Sequence, residues 1–587
     1  MAGFAVFAAK MKYHELTNWT AADGLEDAAA QWPAKEAIVF DDVTYTFADW
    51  NNKANQVARW ATSIGLKRGD VVALMMENRP ECLFLWTGLA KIGAVAALIN
   101  NNLRAKPLLH CIKVCNAKAV LFGVECAQAV SQVKTDLPGL NFYVQGGSAE
   151  GAVLVDEAWR TASVGPVSKS LRAGTTYNDA CMYIFTSGTT GLPKAAIVKH
   201  AKLDGAGNAF AIQFGITHQD RIYNSGLPLY HSAANNIGGG VCLNLGCTLV
   251  LRKKFSASNF WKEVAFFRCT VVQYIGELCR YLLASPPSQY DKQHQCRLAI
   301  GNGLRPDIWE KFQTRFNLPE IGEFYGATEG NVALFNLCKT PRARGAIGHM
   351  GALFKLLGLC TLVRYDPETQ EIVRDPKTGR CIECAPGEAG EAVAEMKGRA
   401  AGSFDGYLGD KEQSEKKLLR NVFRDGDCYF RTGDLLMRDA LGYYYFVDRM
   451  GDTFRWKGEN VATTEVAEVV SGVRGVLEVT VYGVLVPGKD GRACCAAIVP
   501  KDDETLDLEH MYSLCHQQLP AYAQPLFVRI LPKLATTGTF KHQKNELRDE
   551  GANLDKVKDK MYFLDEQKKQ YVELTPQVVS YIATAKL

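Results

Sequence analysis

The stretch Met182-Tyr183-Ile184-Phe185-Thr186-Ser187-Gly188-Thr189-Thr190-Gly191-Leu192-Pro193-Lys194-Ala195-Ala196-Ile197-Val198 places a loop of small, hydroxylated and flexible residues between two apolar runs. Glycines let a backbone approach a ligand closely and take positive φ, so successive N–H groups can converge on anionic oxygens. The hydroxyls of Thr186, Ser187, Thr189 and Thr190 and the Lys194 ammonium add matched donors, and residues 186–194 read as a phosphate cradle. It is not a Walker A loop, which needs Gly-Lys-Ser/Thr running into a helix. Here Pro193 precedes the lysine and 195–198 has strand character, so the loop is expected to join two strands. Taken alone, the same composition also describes an ordinary surface turn.

Working outward, 54–64 carries apolar residues at helical spacing, while 71–75 and 119–122 read as buried strands. The longest apolar stretch, 82–99, is interrupted by Lys91, contains Gly88 and Gly93, and ends in three asparagines. A buried helix followed by a strand accounts for it better than a membrane span. Such alternation predicts an α/β architecture with largely parallel sheets. Further strands are expected at 248–251, 270–274 and 298–300, the last leading into Gly301-Asn302-Gly303 at a strand's carboxyl end, where open α/β sheets bind ligands. Residues 366–388 are turn-rich, with a hairpin turn at 375–379. Beyond 448–451 a second α/β unit begins, with helices at 465–473 and 508–519 and strands at 477–484 and 496–499. A chain of 587 residues exceeds a single core. The expected division is a large N-terminal domain over 1–448 and a smaller C-terminal one over 449–587.

A net charge of +4 over 67 basic and 63 acidic residues leaves no excess that would mark a nucleic-acid binder. Eighteen cysteines without a signal-peptide pattern read as reduced, buried thiols, with Cys494-Cys495 in the core. Cys381-Ile382-Glu383-Cys384 has metal-like spacing but no second pair, which is weak grounds for zinc. The apolar start, broken by Lys10 and Lys12, is too short to span a bilayer, so any membrane association is expected to be peripheral. Residues 354–359 suit either a membrane-facing patch or a buried helix. The final Ala585-Lys586-Leu587 is close to the Ser-Lys-Leu address, so a peroxisomal (or glycosome-like) location, with an import receptor as a partner, is expected.

Several polar clusters carry chemistry together. Phe324-Tyr325-Gly326-Ala327-Thr328-Glu329-Gly330 sets an aromatic ring, a hydroxyl and a carboxylate side by side, suited to stacking on a base, bonding a phosphate and holding Mg²⁺. Phe430-Arg431-Thr432-Gly433-Asp434 offers a carboxylate after a tight turn, where it could accept both ribose hydroxyls. Asp448-Arg449 precedes Gly451-Asp452-Thr453-Phe454-Arg455-Trp456-Lys457-Gly458, and Thr536-Thr537-Gly538-Thr539-Phe540-Lys541 ends a flexible loop on a lysine.

With these clusters the sequence resembles the adenylate-forming superfamily of acyl-CoA synthetases, luciferases and peptide-synthetase adenylation domains, over nearly the whole chain. Met76-Glu77-Asn78-Arg79-Pro80, the run 89–100, Tyr274-Ile275-Gly276-Glu277-Leu278-Cys279-Arg280-Tyr281, Gly301-Asn302-Gly303-Leu304-Arg305-Pro306 and, most specifically, residues 452–460 are similar to the fatty acid transport protein and very-long-chain acyl-CoA synthetase branch. The resemblance implies stacked mixed α/β sheets with a mobile C-terminal lid, and ligation of a long- or very-long-chain fatty acid to coenzyme A using ATP and Mg²⁺ through acyl-AMP. Other carboxylic acids (aryl, bile or carnitine-like), or fatty-acid uptake with ligation secondary, are the competing readings.

By the same resemblance, residues 186–194 would hold the β- and γ-phosphates, Glu329 the metal, and Thr328 the α-phosphate. Tyr325 and Gly326 would lie along the adenine with Gly301, Asn302 and Gly303, and Asp434 and Arg449 would hold the ribose. Lys541 matches the adenylation lysine, with Lys544 expected to be solvated, and His231 matches a position lining the acyl and CoA passage. The hinge should follow Arg449, at Gly451 or Asp452, and Arg455 stands where many relatives carry lysine. No motif sets chain length: 237–245 and 274–283 could line a tunnel or be core. Arg252, Lys253 and Lys254 could meet CoA phosphates or form a basic surface face.

Overall fold

The computed structural model describes residues 2–186, 192–350, 360–366, 369, 371–396, 404–457, 459–486, 489, 491–537 and 542–584, with side chains from 6 to 582. The described chain divides into two compact units, one of residues 1–348 and 396–418, the other of 349–395 and 419–587, and each is described by itself.

In the first unit, strand Val71–Met75 is buried at every position and pairs in parallel with Val95–Leu98 and Ala119–Gly123. A strand covered on both faces loses the polar alternation of a half-exposed one, which is why this segment reads as a continuous apolar run. The described strands of this sheet run Val153–Leu154, Asn141–Gln145, Ala119–Gly123, Val71–Met75, Val95–Leu98, Ala180–Thr186 and Lys194–Lys199, and only the last is antiparallel. The stretch 82–99 is helix Pro80–Ala90 followed by strand Val95–Leu98, as expected. A second sheet has the order Ala333–Cys338, Glu320–Gly326, Leu298–Asn302, Val271–Ile275, Arg221–Tyr223, Thr248–Leu251, Glu36–Phe40 and Val43–Thr46, parallel inside and antiparallel at both edges.

One apolar cluster joins the two sheets through helices Phe47–Ser63, Pro80–Ala90 and His200–Phe214, burying Trp50, Trp86 and Phe214. Helix Phe47–Ser63 starts on a reciprocal capping box, in which the Thr46 hydroxyl accepts from the Asp49 amide and the Asp49 carboxylate accepts from that of Thr46. Ile237, Val241, Cys242 and Leu243 belong to this cluster, so the core reading of 237–245 is the one the fold adopts.

In the second unit, strands Thr361–Val363, Ala389–Glu395, Cys428–Arg438 and Tyr443–Arg449 form an antiparallel sheet. Strands Val476–Leu485, Arg492–Pro500, Phe527–Ile530, Met561–Asp565 and Gln570–Glu573 form a mixed sheet, in which only Arg492–Pro500 and Phe527–Ile530 pair in parallel, packed with helices Thr463–Ser471 and Leu508–Gln518. Cys494 and Cys495 lie in its core. Cys384 is buried and its thiol donates to the Ala389 carbonyl at 3.7 Å, the behaviour of a packed, protonated thiol. Among the described residues no helix is long and apolar enough to cross a membrane. Residues 354–359 and 585–587 lie outside the described residues.

Candidate active site

The cradle loop does join two strands. Thr186 and Lys194 are register partners across an antiparallel hairpin, and the Thr186 hydroxyl donates to the Lys194 carbonyl at 3.5 Å. Ser187, Gly188, Thr189, Thr190 and Gly191 lie outside the described residues. The Lys194 ammonium donates to Gln413 Oε1 at 2.8 Å and stands 5.2 Å from the ring centre of Tyr407. Burial lowers its pKa. The same tyrosine, 6% exposed, donates its hydroxyl to Glu329 Oε1 at 2.7 Å. Tyr407 thus links two of the expected site residues, although sequence reading passed over it. It is held by a bridge to Ala196 and by its amide donating to Ser414 Oγ at 2.8 Å.

Beside Glu329, the Thr328 and Ser232 hydroxyls are 2.6 Å apart. His231 precedes helix Ser232–Asn235, and its Nδ1 accepts from the Ala233 amide at 3.4 Å. Lys202, in the first turn of helix His200–Phe214, donates to the Gly330 carbonyl at 2.8 Å and so fastens the end of the 328–330 segment. Burial pushes its ammonium down to about 8. The oxygen donors of Glu329 and Thr328 are of the hard type that suits Mg²⁺.

Gly301 and Asn302 end the interior strand Leu298–Asn302 at its carboxyl side, and Gly303 follows it. Two features hold this loop. A Cβ on Gly276 would fall 1.7 Å from the Gly303 carbonyl oxygen, so the two motifs 274–281 and 301–306 meet where only glycine fits. The buried carboxyl of Glu323 then accepts from the Gly303 amide at 3.0 Å, the Leu304 amide at 2.9 Å and the Tyr274 hydroxyl at 2.6 Å. Burial drives this carboxyl up to about 8 against the pull of those donors. Glu323 lies three residues before Gly326 on the strand that carries half-buried Tyr325. A charge inside the run Ile321-Gly322-Glu323-Phe324-Tyr325 was the signal that could have found it.

The candidate CoA cations are already paired: Arg252 with Asp41 and Glu263, and Lys253 and Lys254 with Glu77. That favours the surface-face reading.

In the second unit Asp434 and Arg449 are register partners, with Arg449 Nε 3.7 Å from Asp434 Oδ1. The expected tight turn before Asp434 is instead a bulge inside the continuous strand Cys428–Arg438. Gly433 has φ of +78°, and the pairing register shifts between Glu391 and Val393. The extra residues turn Asp434 away from the regular alternation. Glu391, fully buried, holds the bulge by accepting from Arg431 at 2.8 to 3.2 Å and from the Gly433 amide at 3.1 Å.

Arg455 sits in strand Phe454–Trp456, paired with Asn460. Lys541 lies outside the described residues; on either side of residues 537–541, Thr536 and His542 face each other in an antiparallel bridge. Lys544 is not solvated, contrary to expectation. Its side chain is 16% exposed, 3.1 Å from Asp452 Oδ2 and 2.9 Å from the Thr463 hydroxyl. Arg548 pairs with the same Asp452. Burial acts to raise the Asp452 carboxyl, but the two cations outweigh it and hold it below the usual range.

A family model described as AMP-binding enzyme matches residues 25–408, and one described as AMP-binding enzyme C-terminal domain matches 465–541. Long-chain fatty acid transport protein 2 of Rattus norvegicus is 44% identical over 95% of this chain and 89% of its own length. Long-chain fatty acid transport protein 1 of Homo sapiens is 44% identical over 92% and 83%. The chain therefore belongs to the AMP-binding enzyme family, in the branch of the long-chain fatty acid transport proteins. The fold is also that of an anthranilate CoA ligase solved with anthranoyl-AMP (TM-score 0.76, 22% identity, 91% and 97% of the two chains). A Mycobacterium tuberculosis fatty acyl CoA synthetase shares it as well (0.62, 23%, 90% and 98%).

Proposed function

We propose that this protein is an ATP-dependent acid–thiol ligase that joins a long- or very-long-chain fatty acid to coenzyme A through acyl-AMP, releasing AMP and pyrophosphate. The observation that carries the reading is the meeting of Lys194 and Glu329 on one tyrosine at the base of the cradle hairpin, which puts a cation for phosphate oxygens beside a hard oxygen donor. A carboxylate is a poor electrophile; attack of its oxygen on the α-phosphorus of ATP, with pyrophosphate leaving, would give a mixed anhydride from which a thiol can displace AMP. Negative charge gathers at the α-phosphate as this happens and must be neutralised.

In this reading residues 186–194 bind the β- and γ-phosphates, Thr328 the α-phosphate, Tyr325, Gly326 and Gly301–Gly303 the adenine, and Asp434 and Arg449 the ribose. Lys541 bridges the attacking carboxylate and the α-phosphate. Glu329 would hold Mg²⁺, which when bound would offset phosphate charge. His231 lines the acyl and CoA passage, and Arg455 acts in the C-terminal part, taken as 449–587. The relatives' names support a fatty acid as the substrate, and they also favour a second reading in which ligation drives uptake by trapping the acid as its thioester.

The test is palmitate- and lignocerate-dependent release of AMP and pyrophosphate, with and without CoA, for the intact protein and Lys541→Ala, beside a panel of aryl and bile-type acids. Lys541→Ala is expected to lower turnover by about two to three orders of magnitude. Turnover confined to a non-fatty acid would overturn the substrate assignment. Uptake into cells that survives Lys541→Ala would separate transport from ligation.

A further inference from the structure

We propose that Tyr407 is a positioning residue that couples the phosphate lysine to the metal carboxylate: its hydroxyl fixes Glu329 Oε1 and leaves the other oxygen as the one that would hold a cation, while its ring face carries Lys194. The proposal rests on the nucleotide-binding reading above and assigns a role to a segment, 407–413, that no site motif covered.

The geometry has three parts. The Tyr407 hydroxyl donates to Glu329 Oε1 at 2.7 Å, so one carboxylate oxygen is occupied. The Lys194 ammonium stands 5.2 Å from the ring centre, within range of the electrostatic attraction between a cation and an aromatic face. Gln413 Oε1 then accepts from that ammonium at 2.8 Å. The tyrosine cannot drift, because its backbone bridges Ala196 of the cradle hairpin and the Leu408 amide donates to the Ala195 carbonyl at 3.0 Å. Partners of this kind, behind a metal's own ligands, commonly set its affinity.

The two halves of the side chain are separable. Tyr407→Phe deletes the donor and keeps the ring; Tyr407→Leu deletes both. ATP affinity is measured by calorimetry with excess Mg²⁺ and again with EDTA, and Mn²⁺ binding to the ATP complex by electron paramagnetic resonance, with thermal unfolding run on each variant. Tyr407→Phe is expected to weaken Mn²⁺ binding and the metal-dependent part of ATP affinity by about tenfold while leaving metal-free ATP affinity unchanged. Tyr407→Leu is expected to lower metal-free affinity as well, because Lys194 loses its platform. A Phe variant with the intact protein's full metal-dependent gain would overturn the role of the hydroxyl, as would equal losses with and without metal. An intact protein that binds ATP with no metal-dependent gain would overturn this proposal alone, and one that binds no ATP with or without metal would overturn the nucleotide reading as well.

Discussion

Glu323 shows how a single residue can set both the shape and the pH response of a site. Its carboxyl is surrounded by the Gly303 and Leu304 amides and the Tyr274 hydroxyl inside a buried strand, and burial lifts its pKa from 4.5 to about 8. Between those two values the unfolded chain has released the proton that the folded chain keeps. The folded state then binds more protons, so stability falls as pH rises through this window and stops falling above about 8. Chemical denaturation at steps from pH 5 to 9 should give a stability slope that Glu323→Gln flattens by up to about 1.4 kcal/mol per pH unit. Parallel curves for the two proteins would mean that the carboxyl is ionised throughout.

At the scale of elements, the paired motifs 274–281 and 301–306 work as one object. Strand Val271–Ile275 hands over to helix Gly276–Ala284 at the point where the Gly303 carbonyl passes. Gly276→Ala puts a methyl group into that carbonyl, and backbone cannot swing aside as a side-chain tip can. A loss of roughly 1–3 kcal/mol in denaturant unfolding is expected, together with weaker ATP binding. Unchanged values for both would show that the loop relaxes freely.

Elements of this kind were legible because their signals are local. Apolar runs at 71–75, 119–122 and 298–300, helical spacing at 54–64 and 508–519, and the cradle between two strands all follow from residue pattern alone. Contacts across the chain were not. Nothing near Glu391 announces that it pins the Gly433 bulge, and nothing near Tyr407 points to residue 329. Lys544 looks like any surface lysine until helix Asn545–Glu550 brings it and Arg548 onto Asp452. Distance in sequence hides such partners, whereas motif and periodicity do not.

For the whole molecule, in the proposed ligase reading ATP and the thiol must meet different groups, and the mobile C-terminal lid that the resemblance implies needs a pivot. The hydrogen bonds around 449–452 narrow it to one residue. The Met450 amide donates to the Gly433 carbonyl at 2.9 Å, which fastens Met450 to the antiparallel sheet. Asp452 is fastened by Lys544 and Arg548 to helix Asn545–Glu550 and its start. Gly451 stands between these anchors with φ of +85°, where a β-branched residue is strained. Gly451→Val should therefore keep fatty-acid-dependent pyrophosphate release without CoA within about threefold and slow thioester formation by about tenfold or more, because only the second step needs the pivot to turn. Single-turnover measurements of both steps decide it. Equal slowing of the two would place the rotation elsewhere in the chain.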